Sequence, residues 1–387
     1  MIFLYWTTAM KIVYLYGGMP AYRKDFFCLL SKKLEQRGHE LKVLHGVRDK
    51  NDSLQFSANY GFSEKSFPVK IWLERLGRSI QFTTFPGMFR AFKKENPDVY
   101  VLQFHVATIT YWRIYRYAKR NRIPYITWDC NYQRPELLGC QINIRKRLVD
   151  KTDMNAAVCL TYGTKLKKEL VALGKPEKDV VVAQNTINIE RIIEERSASC
   201  SNRDYNHPIH VLYVGLVKSR KFLEPAIEAM AELIKEGLDI YFDIVGGGDL
   251  FEKCKEQIAH FGAEGRIIMH GPKHGGDVKW FFEKSDVFLL PGTGGLAVNE
   301  AMAYSLPIIS TEGDGTIVDL IDGNGFLLNK MGDVTEIKST VLKFLKLTNN
   351  EKQAMAKRSQ EIIVKKASLE NMVNKHIAAI ELTTNNY

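Results

Sequence analysis

The feature that most limits the fold is a rhythm. Short apolar runs recur along the chain, each followed by a longer helix-compatible segment. In the first half they are KIVYLY (Lys11 to Tyr16), ELKVLHG, DVYVLQF (Asp98 to Phe104), PYITWD (Pro124 to Asp129), AAVCLTY (Ala156 to Tyr162) and DVVVAQN (Asp179 to Asn185). Runs that are apolar at every position suit strands buried on both faces, and their alternation with helices predicts a parallel sheet covered by helices. A glycine turn (Gly17, Gly18) follows the first run and leads into RKDFFCLLSKKLEQRGH.

The rhythm breaks between Ile187 and Pro208, where a polar stretch ends in SASCSNRDYNHP, and restarts with IHVLYVG (Ile209 to Gly215). DIYFDIVGGG, RIIMHG, DVFLLPG and LPIIST then follow as strands. A chain of 387 residues suits two domains better than one. The expected fold class is α/β, with two doubly wound Rossmann-like domains facing a central cleft: residues 10–186, a linker 187–208, and residues 209–367. Residues 368–387 form a terminal helix, because Leu369, Met372, Val373, Ile377 and Ile380 recur at helical spacing. That spacing leaves open which domain it packs on. In doubly wound sheets, ligands bind at the carboxyl ends of the strands.

The N-terminal MIFLYWTTAM is apolar but short, and Lys11 interrupts it. A spanning helix needs about 20 apolar residues. No export signal is evident, Met10 is a candidate start, and a cytoplasmic protein is expected. Cys28, Cys130, Cys140, Cys159, Cys200 and Cys254 are widely spaced and read as free thiols. The net charge of +10 is uneven: Lys70 to Asp179 holds 21 Lys and Arg against 10 Asp and Glu. An anionic partner fits this surplus, as does a merely solvated basic surface. No nucleic-acid module is present, so nucleic acid is not expected as the partner.

Four strand-end turns carry the chemistry. LLPGTGGLAVNEAMAYSLPII (Leu289 to Ile309) places Gly292, Gly294 and Gly295 before a helix start, with Glu300 about one turn further on. Glycine lets backbone approach a ligand, and a helix start offers free N–H groups to an anion. Gly294, Gly295 and Leu296 are therefore candidate phosphate contacts, and Glu300 a candidate acceptor for sugar hydroxyls. A tight strand-to-helix turn with an exposed glutamate explains the same residues. VLYVGLVKSRK ends a strand at Gly215, then places Lys218, Arg220 and Lys221 close together. Arg220 can pair with phosphate and Lys221 can act as a point charge; a solvated basic loop is the plainer alternative. IVGGGDL, containing Gly247, and MHGPKHGGD, at Gly271, complete the set.

Together these residues resemble the retaining GT-B glycosyltransferases of family four. The resemblance covers nearly the whole chain and is strongest from Val211 to Leu328. It rests on Gly215 with Arg220 and Lys221, on Gly246 to Gly248, on VVVAQNTIN, and above all on PGTGGLAVNEAMAYSLPII. It implies transfer of a sugar from a nucleotide-sugar donor to a glycan or lipid-linked acceptor with anomeric retention, in surface polysaccharide or glycoconjugate synthesis. It implies that Arg220 and Lys221 stabilise the leaving diphosphate and that Glu300 binds the ribose. Gly295 and Leu296 would offer N–H groups, and Gly17 and Gly18 would approach the donor phosphates. His105, after the DVYVLQF strand, would help position the sugar, Asp129 being a weaker candidate. No cofactor and no metal are implied. The chain departs from the pattern at Gly292, where the family has a first glutamate, and at Leu216, where it often has arginine. The first departure keeps a catalytically silent nucleotide-sugar-binding partner as an alternative, beside an epimerase of the same architecture.

From Arg75 to Lys94 the chain has Arg75, Arg78, Arg90, Lys93 and Lys94 and no acid. Phe85, Met88, Phe89 and Phe92 recur there at helical spacing. Such a stripe can lie in an anionic membrane surface or pack into the first domain's core. A peripheral position at the inner face of the membrane is the expectation that follows from the first option.

Overall fold

The computed structural model describes residues 9–47, 61–72, 82–103, 105, 107–129, 140–273 and 275–385. The expectations for the first eight residues, Arg75, Arg78, Phe104, Cys130 and the side chain of Cys140 lie outside them. The chain divides into two compact units, residues 1–183 with 370–387, and residues 184–369.

Unit 1 carries strands β1 Lys11–Tyr16, β2 Glu40–Val47, β3 Glu64–Pro68, β4 Lys70–Trp72, β5 Phe82–Thr84, β6 Val99–Leu102, β7 Tyr125–Asp129, β8 Val158–Thr161 and β9 Val180–Val182. Its helices include α1 Lys24–Glu35, α2 Met88–Glu95, α3 Ile109–Arg120, α4 Cys140–Met154 and α5 Thr164–Ala172. Among the described residues a parallel sheet has the order β3-β2-β1-β6-β7-β8-β9, and β4 and β5 form a separate antiparallel ribbon. β1 lies at the centre with both faces covered, so Ile12, Val13, Tyr14 and Leu15 are all buried. That explains a run with no polar alternation. α1 buries Phe26, Phe27, Leu30 and Leu34, a single helical face. β3 escapes the apolar pattern because it is an edge strand, with only Phe67 of EKSFP buried.

The α2 stripe is core. Phe85, Met88 and Phe92 are buried with Val13, Leu15 and Tyr100, so they are not available to a membrane. The helix is short and lies against the sheet, which consumes its apolar face. Among the described residues no helix is long and apolar enough to cross a membrane.

Unit 2 carries strands β10 Ile209–Val214, β11 Ile240–Val245, β12 Ile267–Gly271, β13 Val287–Leu290, β14 Ile308–Thr311 and β15 Gly325–Leu328. Its helices are α6 Ile189–Glu195, α7 Leu223–Lys235, α8 Phe251–His260, α9 Gly276–Lys284, α10 Leu296–Ala303, α11 Val334–Leu345 and α12 Asn349–Lys366. The order is β12-β11-β10-β13-β14-β15, all parallel. The direction of winding reverses between β10 and β13. α12 starts on a reciprocal cap, Thr348 with Glu351, as a T-x-x-E sequence should.

Two elements depart from the expected plan. The stretch expected as a linker is part of unit 2: Ile189, Cys200 and Tyr205 lie in its core. Polar composition concealed this because the polar groups are structural. The Arg203 guanidinium donates to the carbonyls of Phe282, Glu283, Ser285 and Tyr304, closing the ends of α9 and α10. The terminal helix, α13 Leu369–Asn385, belongs to unit 1. His376 is fully buried there, shares a hydrogen bond with Tyr14 (2.9 Å) and lies edge-on to Trp128.

Candidate active site in the second unit

In a sheet whose winding reverses between β10 and β13, the place where ligands bind is outside the carboxyl ends of those two strands. The chain leaving β10 makes a short 3-10 turn over Ser219–Lys221 and enters α7. Between them Phe222 adopts the left-handed conformation, with φ of 52°. A bulky residue there is strained and holds only where its surroundings enforce it.

The turn after β13 supplies that enforcement. The N–H of Thr293 donates to the Arg220 carbonyl at 3.0 Å, and its hydroxyl donates to the same oxygen at 3.2 Å. The Arg220 guanidinium donates to that hydroxyl at 3.1 Å, and the Lys221 ammonium donates to the Thr293 carbonyl. One buried threonine thus clasps both cations. The glycines beside it are what let the loops meet. A Cβ on Gly292 would lie 2.5 Å from the Arg220 oxygen. A Cβ on Gly294, whose φ is 144°, would lie 2.6 Å from the Lys221 nitrogen. Gly292 therefore stands where a glutamate could not be accommodated in this packing.

Lys221 is 8% exposed. Burial lowers its pKa to about 8, the Arg220 charge pushes the same way, and Asp314 opposes both. Asp314 lies in the turn after β14 and accepts from the N–H and hydroxyl of Thr316 at 3.2 and 2.6 Å. Its carboxylate would be 3.3 Å from a Cβ on Gly295. Gly295 precedes α10, whose first turn carries no acid. The N-terminus of α10, beginning at Leu296, follows directly on the turn that holds the two cations, and a helix start of this kind is a candidate anion site. Glu300 sits one turn inside α10, half-buried, and burial raises its carboxyl pKa to about 7. Gly215 and Gly247 belong to the same edge: the loop after β10 bonds back to the loop after β11 through Val217 N–H to the Gly247 carbonyl, 3.0 Å.

Unit 2 therefore brings together Gly215, Arg220, Lys221, Gly247, Gly294, Gly295, Leu296 and Glu300. Gly17, Gly18 and His105 lie in unit 1, at the ends of β1 and β6, which are neighbours in its sheet. His105 is exposed. Neither Gly17 nor Gly18 has a positive φ, and a Cβ on Gly18 would meet nothing within 4 Å. The sequence reading missed Thr293 and Asp314. Thr293 stood inside the quoted glycine turn. Asp314 stood in TEGDGT, a further strand-end turn of the kind used to find the others.

Residues 198–362 match the family described as Glycosyl transferases group 1. This match lies within unit 2 and spans less than half of the chain. The transferase AmsK of Erwinia amylovora, named for amylovoran biosynthesis, is 30% identical over 227 residues, 55% of this chain and 52% of that one. The chain thus spans about half the length of that relative. The N-acetyl-alpha-D-glucosaminyl L-malate synthase of Bacillus anthracis is 22% identical over 352 residues, covering 79% and 89%. Among solved structures, Anabaena HepE in complex with UDP superposes with a TM-score of 0.70 at 15% identity, covering 96% of this chain and 100% of that one. The fold of the chain is accordingly GT-B, built from two Rossmann-like units.

Proposed function

We propose that the protein transfers a sugar from a nucleotide-sugar donor to a glycan or lipid-linked acceptor with retention, in polysaccharide or glycoconjugate synthesis. The observation that carries this reading is the Thr293 clasp, which presents Arg220 and Lys221 beside the start of α10. In the transfer, the bond from the sugar's anomeric carbon to the diphosphate breaks and its electron pair stays on phosphate oxygen. The acceptor oxygen bonds to that carbon on the same face, and its proton passes to the departing phosphate. Charge gathers on the diphosphate, where preformed cations and N–H groups act most strongly. Glu300 is assigned to the ribose hydroxyls, and the UDP bound by HepE makes a uridine nucleotide the first donor to try.

The test is release of nucleoside diphosphate from a nucleotide-sugar panel, with and without lipid-linked glycan acceptors. Acceptor-dependent release is expected. Gly292 in place of a glutamate favours one competing reading, a silent nucleotide-sugar-binding partner, which would bind the nucleotide and release none. Conversion of the donor without an acceptor would instead indicate an epimerase.

A further inference from the structure

We propose that Asp314 is a specificity residue for the transferred sugar: its carboxylate accepts hydroxyls of a neutral sugar and excludes an anionic one. This rests on the transferase reading and deepens it, because it concerns the same site.

The turn after β14 is fixed against the turn after β13. The Thr311 hydroxyl donates to the Gly292 carbonyl at 2.8 Å and accepts from the Gly313 N–H at 3.2 Å. Gly313 has a φ of 63°, and a Cβ there would stand 2.3 Å from the Gly294 carbonyl oxygen. Asp314, the next residue, is half-buried beside Gly294 and Gly295. Opposite charges flank this glycine pair, the Lys221 ammonium against Gly294 and the Asp314 carboxylate against Gly295. The two do not pair with each other: the ammonium bonds the Thr293 carbonyl, and Asp314 bonds Thr316. Thr316 takes only Oδ1. Among the described residues Oδ2, the oxygen nearer Gly295, accepts no hydrogen bond.

The turn Pro291 to Gly295 contains no acid, so the neighbouring turn supplies the carboxylate at this point. An uncommitted carboxylate oxygen repels a phosphate but accepts strongly from a neutral hydroxyl. A nucleotide sugar carries hydroxyls on two parts, the ribose and the transferred sugar, with the diphosphate between them. Glu300, assigned to the ribose, lies five residues beyond Gly295, about 7 Å along α10. With the ribose there and the diphosphate on Arg220 and Lys221, the part beyond the second phosphate falls to Asp314. A sugar bearing its own carboxylate would set two negative charges close together in a half-buried site, where their repulsion is poorly screened. One residue thus attracts the neutral sugar and rejects the anionic one.

The test measures binding by calorimetry to UDP, UDP-glucose and UDP-glucuronate, and to GDP, GDP-mannose and GDP-mannuronate. The wild type should bind the neutral donor of its series at least about tenfold more tightly than the uronate. Asp314→Asn keeps an oxygen for Thr316 and removes the charge. It should weaken the neutral donor about fivefold and strengthen the uronate about tenfold. Free nucleoside diphosphate should bind it about twofold better, because a like charge has gone. Damage to the turn would instead weaken all three ligands together. Asp314→Ser, which retains an acceptor for the turn, should behave in the same way. An unchanged donor ratio in either folded variant, a common loss for all three ligands, or a wild type that takes both donors equally overturns the assignment and leaves the transferase reading standing. A wild type that binds neither nucleoside diphosphate overturns that reading and this one with it.

Discussion

The two units repeat one device and put it to different ends. In each, the central strand leaves through glycine, makes a 3-10 turn and enters the first crossover helix, and the last residue of that turn is a buried cation. In unit 1 it is Arg23, in unit 2 Lys221. Arg23 lies among rings. It donates to the hydroxyls of Tyr16 and Tyr162 at 3.1 and 3.3 Å, and its guanidinium carbon is 4.8 Å from the Trp128 ring centre. Burial works against its charge, but the phenols of Tyr16 and Tyr162 outweigh burial, and its pKa is raised. Lys221 is buried beside a carbonyl and a second cation; burial first and the Arg220 charge second lower its pKa to about 8, against the opposing pull of Asp314. A guanidinium spreads its charge and stacks on rings, whereas an ammonium is a compact point charge that a ligand can stabilise. The first cation is held by the fold. The second is left short of negative charge, which a diphosphate would supply.

The largest expected effect concerns Arg23. Arg23→Ala should cost unit 1 roughly 3 kcal/mol or more, because it empties a space lined by rings and removes a charged donor from two buried phenols. Denaturant unfolding would show this, and nucleoside diphosphate affinity, a property assigned to unit 2, should change little. Equal loss of affinity would break the contrast. Lys221→Ala should instead leave the unfolding midpoint nearly unchanged, since removing a desolvated charge offsets the lost bond, while turnover falls on the order of 100-fold. Wild-type turnover would remove Lys221 from the chemistry.

The smallest effect sharpens the comparison through pH. Glu300 titrates near 7 because burial disfavours its charge. As pH rises through that value the carboxylate forms and becomes a stronger acceptor for ribose hydroxyls. Nucleoside diphosphate affinity should therefore increase about fivefold more in the wild type than in Glu300→Gln between pH 6 and 8. Parallel profiles from calorimetry would leave Glu300 as support for α10 only.

Much of this was legible beforehand for a physical reason. Central parallel strands are buried on both faces, so KIVYLY and IHVLYVG announce themselves by composition. The edge strand β3 does not: EKSFP carries mixed sequence, with only Phe67 buried. The glycine turns were legible because few residue types let two loops approach so closely. The role of Thr293 was not, since nothing in the order of residues says that it would meet a turn 73 positions earlier.

By itself, then, the sequence determined the alternation of strand and helix, the two wound halves and the glycine-bearing strand ends. These follow from local preference and from apolar patterning along the chain. Tertiary structure alone decided that 187–208 packs into unit 2 and that α13 returns to unit 1. It also decided that Phe85, Met88 and Phe92 are core while Trp72 and Phe82 are exposed. Each of those outcomes depends on which surface is already covered by a distant segment. Burial is a property of the assembled neighbours, and the same desolvation that seats Phe92 in the core leaves the charge of Lys221 incompletely compensated.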